Sequence, residues 1–391
     1  MRQLEGAWIS TSKINRSKER LQRLGYFEEI NVETPAVPGT NDQVDVNFSV
    51  VEKPSGNLLF GLGFSQAQGL IINAQISQDN FLGSGNRVNL TFNNSDVNTV
   101  YALGYTNPYF TVHGVSQGFN ISYRQTDAGS ANVTRFDSRT FNAGTQLGIP
   151  VTEYQFLNFN LDYEDNNIDT GGIVATQVQD FINRFGNHFN TLRLGTSLAF
   201  DTRNKALLPD TGTLHRLRAQ VAVPAGELEF YKLDYSARWY YPIVEDYTIA
   251  LHGEVGYGDG YGKTGELPFF ENFYAGGPRS VRGYKENTLG PRDSLGRPLG
   301  GNLRVVGNAE LFLPIPFVQE VKSLRISAFV DIGNVYDTIS TDPSGPLRYT
   351  AGLAGIWLSP FGVLSVSIAQ PLNERSGDET QPFQFTVGTS F

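Results

Sequence analysis

The chain has 391 residues with no cysteine, one methionine, 42 glycines and 12% aromatic residues, and its formal net charge at pH 7 is −9. These figures exclude a disulfide scaffold and thiolate chemistry, and the interspersed charge signs exclude the basic stripe of a nucleic-acid binder. No apolar run reaches about 18 residues, which excludes a transmembrane helix but not a transmembrane β-barrel, whose lipid-facing and lumen-facing residues alternate and keep the mean hydropathy low.

The opening, MRQLEGAW, has no basic stretch followed by an apolar core, so no signal peptide is expected and the chain reads as a mature or truncated piece of an exported protein. Ser10 to Leu24 is charged and helix-compatible, with Ile14, Leu21 and Leu24 as a narrow apolar stripe. RLGYFEEINVETP (Arg23 to Pro35) predicts a helix end at Gly25 and then a short strand. DQVDVNFSVVEKP (Asp42 to Pro54) alternates, with Val44, Val46, Phe48 and Val50 on one face. Residues 1–54 therefore read as a small α+β module lacking its beginning.

From residue 55 to 391 the pattern becomes repeated alternation. NLLFGLGFS sets Leu58, Phe60, Leu62 and Phe64 on one face, and NRVNLTF sets Val88, Leu90 and Phe92 against Arg87, Asn89 and Thr91. LEFYKLDYSARWYY sets Tyr231, Leu233, Tyr235, Ala237 and Trp239 against Lys232, Asp234, Ser236 and Arg238. About sixteen such segments are separated by Gly, Asn, Asp, Pro and Ser clusters. Many run ten residues or more, whereas soluble strands average about five or six. Their polar faces carry both charge signs, which suits a hydrated lumen. The expected fold is an all-β transmembrane barrel of 16 antiparallel strands, since an even number of strands closing on itself leaves no open edge in lipid. Connections are expected to alternate between tight turns, such as SPFG (Ser359 to Gly362), and long loops, such as Asp169 to Phe189 and a stretch from about 258 to 301. The final segment, FQFTVGTSF, puts Phe383, Phe385, Val387 and Phe391 on its apolar face.

Several of these stretches resemble the BamA family of outer-membrane β-barrel assembly insertases. GGPRSVRGYKENTLGPRD (Gly276 to Asp293) resembles the family's signature in its long sixth extracellular loop. GNAELFLPIPF (Gly307 to Phe317) and FVDIGNVYDT (Phe329 to Thr338) resemble the two strands that follow it. DTRNKALLPDTG (Asp201 to Gly212) resembles a family turn between barrel strands, and FQFTVGTSF resembles the terminal β-signal of outer-membrane proteins. The opening module resembles the last polypeptide-transport-associated (POTRA) domain without its first strand. The resemblance implies an insertase of the Gram-negative outer membrane with a periplasmic N-terminal module. Its expected partners are unfolded outer-membrane protein clients, accessory lipoproteins docked on the module, and the lipid bilayer.

Residue parity supplies one independent expectation. Arg304, Asn308 and Glu310 share a face opposite Leu303, Val305, Ala309 and Leu311, and Arg325, Ser327 and Asp331 oppose Leu324, Ile326, Ala328 and Val330. Glu310 and Asp331 therefore point into the lumen on the two strands after the long loop. If that loop folds inward, Arg282, flanked by Gly283 and Tyr284, lies near both carboxylates, and family resemblance implies such an internal contact.

No chemistry of catalysis is marked. His113, His188, His215 and His252 are scattered without paired metal spacing, and there is no GxSxG, P-loop or dinucleotide fingerprint. Asp201, Arg203, Asn204, Asp210 and Gly212 read as a turn-stabilising network. No cofactor, metal or nucleotide is expected, and no enzyme activity. The expected working element is a weak seam between a first strand, Asn57 to Ser65, and a last strand, Phe383 to Phe391. Leu58 and Phe60 lie on its apolar face, Gly61, Gly63 and Gly388 loosen its packing, and the break at Pro382 limits pairing. A client strand would add to the first strand. Alternatives kept open are a polypeptide-exporting barrel of two-partner secretion type, a passive porin and a barrel enzyme; ordinary barrel curvature is the plain alternative for the glycines.

Overall fold

A computed structural model of the chain describes residues 3–24, 27–52, 54–244, 247–313, 323–338, 345–359 and 362–388. Near the N-terminus, a helix (α1, Thr11–Leu24) precedes two antiparallel strands, Phe27–Glu33 and Asn47–Glu52. Ile14 and Ile30 are buried there. The second strand begins five residues later than its alternation predicts: Val44 makes only an isolated bridge to Ala36, and Val44 and Val50 stay exposed. A turn at 38–39 and bends at 41–42 interrupt the alternating stretch before a ladder can form. The helix end expected at Gly25 lies outside the described residues.

The remaining chain builds a closed barrel of sixteen strands. In chain order they are β1 Gly56–Ser65, β2 Gly69–Gln78, β3 Arg87–Asn94, β4 Asn98–Asn107, β5 Ser116–Asp127, β6 Asp137–Pro150, β7 Gln155–Asp169 and β8 His188–Asp201. They continue with β9 Gly212–Ala222, β10 Phe230–Val244, β11 Tyr247–Gly260, β12 Leu303–Leu313, β13 Leu324–Tyr336, β14 Arg348–Ser359, β15 Gly362–Pro371 and β16 Phe383–Gly388. Each pairs antiparallel with its sequence neighbours, and β16 meets β1. Successive side chains alternate across the wall, so Leu58, Phe60, Leu103, Ile121, Leu161, Leu233, Val255 and Leu353 stand exposed on the outside. An apolar surface running round the whole wall is costly in water and fits hydrocarbon.

The connections after odd-numbered strands lie at the end opposite the N-terminal module. The long connections 128–136, 170–187 and 261–302 do lie on that end, but 66–68 and 95–97 there are tight turns and 202–211 on the other end runs ten residues, so the alternation of short and long is not strict; the middle of the SPFG turn lies outside the described residues. The 170–187 connection holds a helix (α2, Thr176–Phe185). Its signal was present in the helical spacing of Val178, Phe181, Ile182 and Phe185, closed by Gly186 at φ 86°. Val178 and Phe181 bury against Phe136, Phe189, Phe230 and Phe269, an apolar dome over that mouth.

The 261–302 connection is neither structureless nor splayed outward. Val281, Tyr284 and Leu289 pack on the inward-facing Val306 of β12 and Val335 of β13. A single helical turn, Phe269–Glu271, and a short strand, Gly283–Tyr284, lie within it, the latter paired with Thr380–Gln381. The loop thus occupies the lumen.

Candidate functional site: a lumenal loop beside a weakly paired seam

Arg282 meets the carboxylates that parity placed inside. Its Nε donates to Asp331 Oδ2 and its Nη2 to Asp331 Oδ1, both at 2.8 Å, while its backbone N–H reaches Oδ2 at 3.0 Å. Nη1 donates to Glu310 Oε1 at 3.2 Å, and the guanidinium lies 3.4 Å from the ring centroid of Phe329. Ser327 donates to the same Glu310 oxygen. Asp331 is fully buried, so its charge is tolerable only because a planar fork and an amide satisfy it. Gly283 follows at φ 88°, and a Cβ there would stand 3.0 Å from that of Ala369, so the turn into the wall requires glycine. Tyr284 is fully buried beside it.

A second clamp was not foreseen. Glu271 of the loop accepts from Arg193 of β8 at 2.7 Å and from Lys232 of β10 at 3.2 Å, and Arg193 also holds Glu164 of β7 at 2.7 Å. Lys232 further donates to the Glu271 carbonyl at 2.7 Å and lies 4.6 Å from the Phe273 ring centroid. Burial alone would push the Glu271 carboxyl up, but the Arg193 and Lys232 charges outweigh it and hold it at about 2. Parity gives the lumenal direction of Glu164, Arg193 and Lys232, but nothing in FFEN marks Glu271 as their partner.

The seam is thin. Among the described residues, β16 and β1 pair at Thr386↔Ser65 and Val387↔Phe64, while β15 and β16 pair at six positions from Val363↔Gly388 to Ile368↔Phe383. Among the described residues, Gly56 to Gly63 have no partner on the β16 edge. Leu58 and Phe60 are 77% and 66% exposed. Phe64 and Phe385 stack across the join at 5.6 Å, and Phe383 tilts against Phe385. Gly63 and Gly388 permit close approach: a Cβ on Gly63 would sit 2.8 Å from the Val387 carbonyl, and Gly388, at φ 130°, would put one 2.7 Å from Gly63 Cα. Gly61 pairs with Asn73 of β2 and lies outside the β16 ladder. Phe391 falls outside the described residues.

The 201–212 turn is a network of its own. Arg203 forks onto Asp201 at 2.9 and 2.8 Å, and Asn204 Oδ1 accepts from the amides of Asp210 at 3.0 Å and Thr211 at 3.3 Å. Gly212 has φ 97°, and a Cβ there would lie 2.3 Å from the Thr202 carbonyl. Arg325 of β13 donates to the carbonyls of Leu208 and Pro209 at 2.6 and 2.8 Å and also to Asp210. This fastens the turn to β13, four strands along the wall, a contact between residues over a hundred positions apart that local pattern does not reveal. The histidines are dispersed: His252 bonds Asn308 and His188 bonds Asp165, and no group of three potential metal ligands occurs among the described residues.

Comparison with known proteins places this architecture. The Omp85 superfamily domain matches residues 80–391, and the POTRA description, a surface antigen variable number repeat, matches residues 1–53. The chain belongs to the Omp85 superfamily. Within this superfamily it is similar to the outer membrane protein assembly factor BamA of Neisseria meningitidis serogroup B, 37% identical over 429 residues, covering 100% of the chain and 54% of that protein. The assembly factor BamA of Nitratidesulfovibrio vulgaris is 28% identical over 406 residues, covering 100% of the chain and 48% of that relative. The chain thus spans about half the length of these curated relatives. The crystal structure of BamA from Haemophilus ducreyi lacking POTRA domains 1–3 superposes with a TM-score of 0.91 at 31% identity, covering 100% of the chain and 80% of that structure. CdiB from Acinetobacter baumannii gives 0.62 at 15% identity over 96% of the chain and 68% of its own, a likeness of fold alone. These matches bear out the resemblance to the BamA family, and the strand order bears out the sixteen-stranded barrel read from the alternation.

Two outcomes follow from the clamps. Arg282→Ala strands a fully buried Asp331 carboxylate, an imbalance of roughly 3–5 kcal/mol. A lower thermal unfolding midpoint in detergent and new tryptic cleavage at Lys285 and Arg292 are expected, with a smaller effect for Asp331→Asn, whose neutral amide needs no counter-charge. Glu271 has a folded-state pKa below its ordinary 4.5, so its stabilising contribution is complete above about 4.5 and fades as pH falls toward about 2. The difference in thermal unfolding midpoint between the unaltered protein and Glu271→Gln should be constant from pH 7 to 5 and shrink below pH 4.5.

Proposed function

We propose that this chain is the barrel-forming part of an outer-membrane protein insertase. It sits in the Gram-negative outer membrane with its N-terminal module in the periplasm, and it folds client β-barrels at the join between β1 and β16. The carrying observation is the edge of β1, where Gly56 to Gly63 lack a partner on β16 among the described residues. Unpaired N–H and C=O groups in hydrocarbon cost several kcal/mol each, so such an edge accepts a strand that offers complementary groups. A client's terminal strand adds to β1 by β-augmentation, each following hairpin pairs with the one before, and the nascent sheet buds into the bilayer. Strands flanking the join are short: β1, β2, β3 and β4 have 10, 10, 8 and 10 residues, against 14, 15 and 14 in β6, β7 and β8. A shorter wall matches a thinner hydrocarbon layer, which lowers the cost of passing polar loops there.

No nucleotide or cofactor enters this scheme, because the client's own hydrogen bonding and apolar burial supply the free energy, and no catalytic residue is assigned. The curated relatives are named assembly factors. In this scheme accessory lipoproteins dock on the N-terminal module, whose strand Asn47–Glu52 has one edge without a partner strand among the described residues. An exporting barrel or a porin needs a free path through the lumen, and here the lumenal loop and the apolar dome stand in that path.

Because the chain has no cysteine, Ser65→Cys with Thr386→Cys locks the join specifically. The oxidised protein, reconstituted with an unfolded outer-membrane protein, should lose client insertion and regain it on reduction. Full insertion by the locked form would overturn the proposal.

A further inference from the structure

The last strand is held from three directions, and one of them is the loop. Among the described residues, its β15 edge has six paired positions and its β1 edge two. Just upstream, the backbone leaves the wall. Pro382 has no N–H to offer, and its carbonyl accepts from Ala369 N at 2.9 Å. Thr380 and Gln381 then pair with Tyr284 and Gly283 of the loop rather than with a barrel strand. Lys285 N donates to the Glu379 carbonyl at 2.9 Å, and the side chains of Lys285 and Arg292 reach the Glu379 carboxylate at 3.0 and 3.2 Å.

Within β16 itself, Gln384 turns its amide into the lumen and is 2% exposed. Its Nε2 donates to the Tyr284 carbonyl at 2.7 Å, and its Oε1 accepts from Gly283 N at 3.4 Å. A buried amide is costly unless its donors and acceptor are used, and here both partners are backbone groups of the two residues after Arg282. The dipeptide that Arg282 anchors to β12 and β13 is therefore the same one that Gln384 ties to β16. Ser367, opposite Gln384 on β15, is small and leaves the amide room. Thr386, the next inward residue and one of the two that pair with β1, lines a cavity of about 250 Å³ together with Ser65, Arg282 and Glu310. The last strand thus has space to move inward on the side where only the loop restrains it.

We propose that Gln384 is a positioning residue that couples the loop to the seam. While Arg282 rests on Asp331 and Glu310, Gln384 holds β16 against the loop and keeps Thr386 in register with Ser65. When the loop shifts, the strand is freed and the join widens. This inference rests on the reading of the β1–β16 join as the client-engaging edge.

The test is a double-mutant cycle read at the join, using the Ser65→Cys, Thr386→Cys pair in outer membranes and scoring only protein that shows the heat-modifiable folded band. The readout is the rate of disulfide formation. With Gln384 present, Asp331→Asn should slow it about fivefold, a modest coupling between linked sites. Arg282→Lys, which keeps charge but loses the fork, should act likewise. In Gln384→Leu and Gln384→Glu backgrounds the same anchor changes should slow it by less than about twofold, because the connection is already cut. An anchor effect of equal size in all three backgrounds, or none in any, would overturn the coupling. Client insertion by the oxidised pair reports separately on the seam itself, since a locked form that still inserts clients leaves the measured coupling standing.

Discussion

A backbone amide in hydrocarbon has no water to turn to, so every strand in the wall must find its partners within the sheet. Fifteen of the joins meet this demand along most of their length. The sixteenth, β16 to β1, meets it at two positions among the described residues. Around that join, close-approaching glycines stand where bulkier residues would hold the backbones apart, and the last strand breaks at Pro382, so part of its pairing goes to the loop. Among the described residues the shortfall is confined to one place, and the proposed insertion mechanism uses that edge while the rest of the wall stays paired.

The interior holds the resting loop at two clamps. Arg282 fixes one part to β12 and β13, and Glu271 fixes another to β8 and β10, a few strands further round the wall. Both clamps are charge pairs with little solvent exposure, where removing one partner costs more than the pair itself contributes. Apolar packing fills the space between: Val281 and Leu289 against Val306 and Val335 below, and the Phe181 and Phe269 cluster above. The Arg325 contacts to the Leu208 and Pro209 carbonyls and the Asp210 carboxylate do the same for the opposite mouth.

Much of this was legible in the residues because the side-chain period of a strand is two. Alternation placed Leu58 and Phe60 outside, and Glu310 and Asp331 inside, without any knowledge of register. Family resemblance then pointed Arg282 at those carboxylates. What escaped has a common cause. Glu271 with Arg193, Gln384 with Tyr284, and Arg325 with Leu208 each join segments far apart in the chain through single residues, and no local period marks such a pair. The α2 helix escaped for a different reason, since a ten-residue helix inside a polar connection shows barely two turns of apolar spacing. The width of the seam depends on stagger: Ser65, at the end of β1, meets Thr386 near the end of β16, and alternation alone is blind to that offset.

Amide hydrogen exchange along β1, in nanodiscs and with the folded barrel intact, tests the unpaired edge most directly. Alternate amides of Gly56 to Leu62, those not bonded to β2, should exchange orders of magnitude faster than amides in β8 to β11, and should become protected when a client's terminal strand is added. Uniform protection along β1 before any client is present would contradict the weak join on which the proposed insertion mechanism depends.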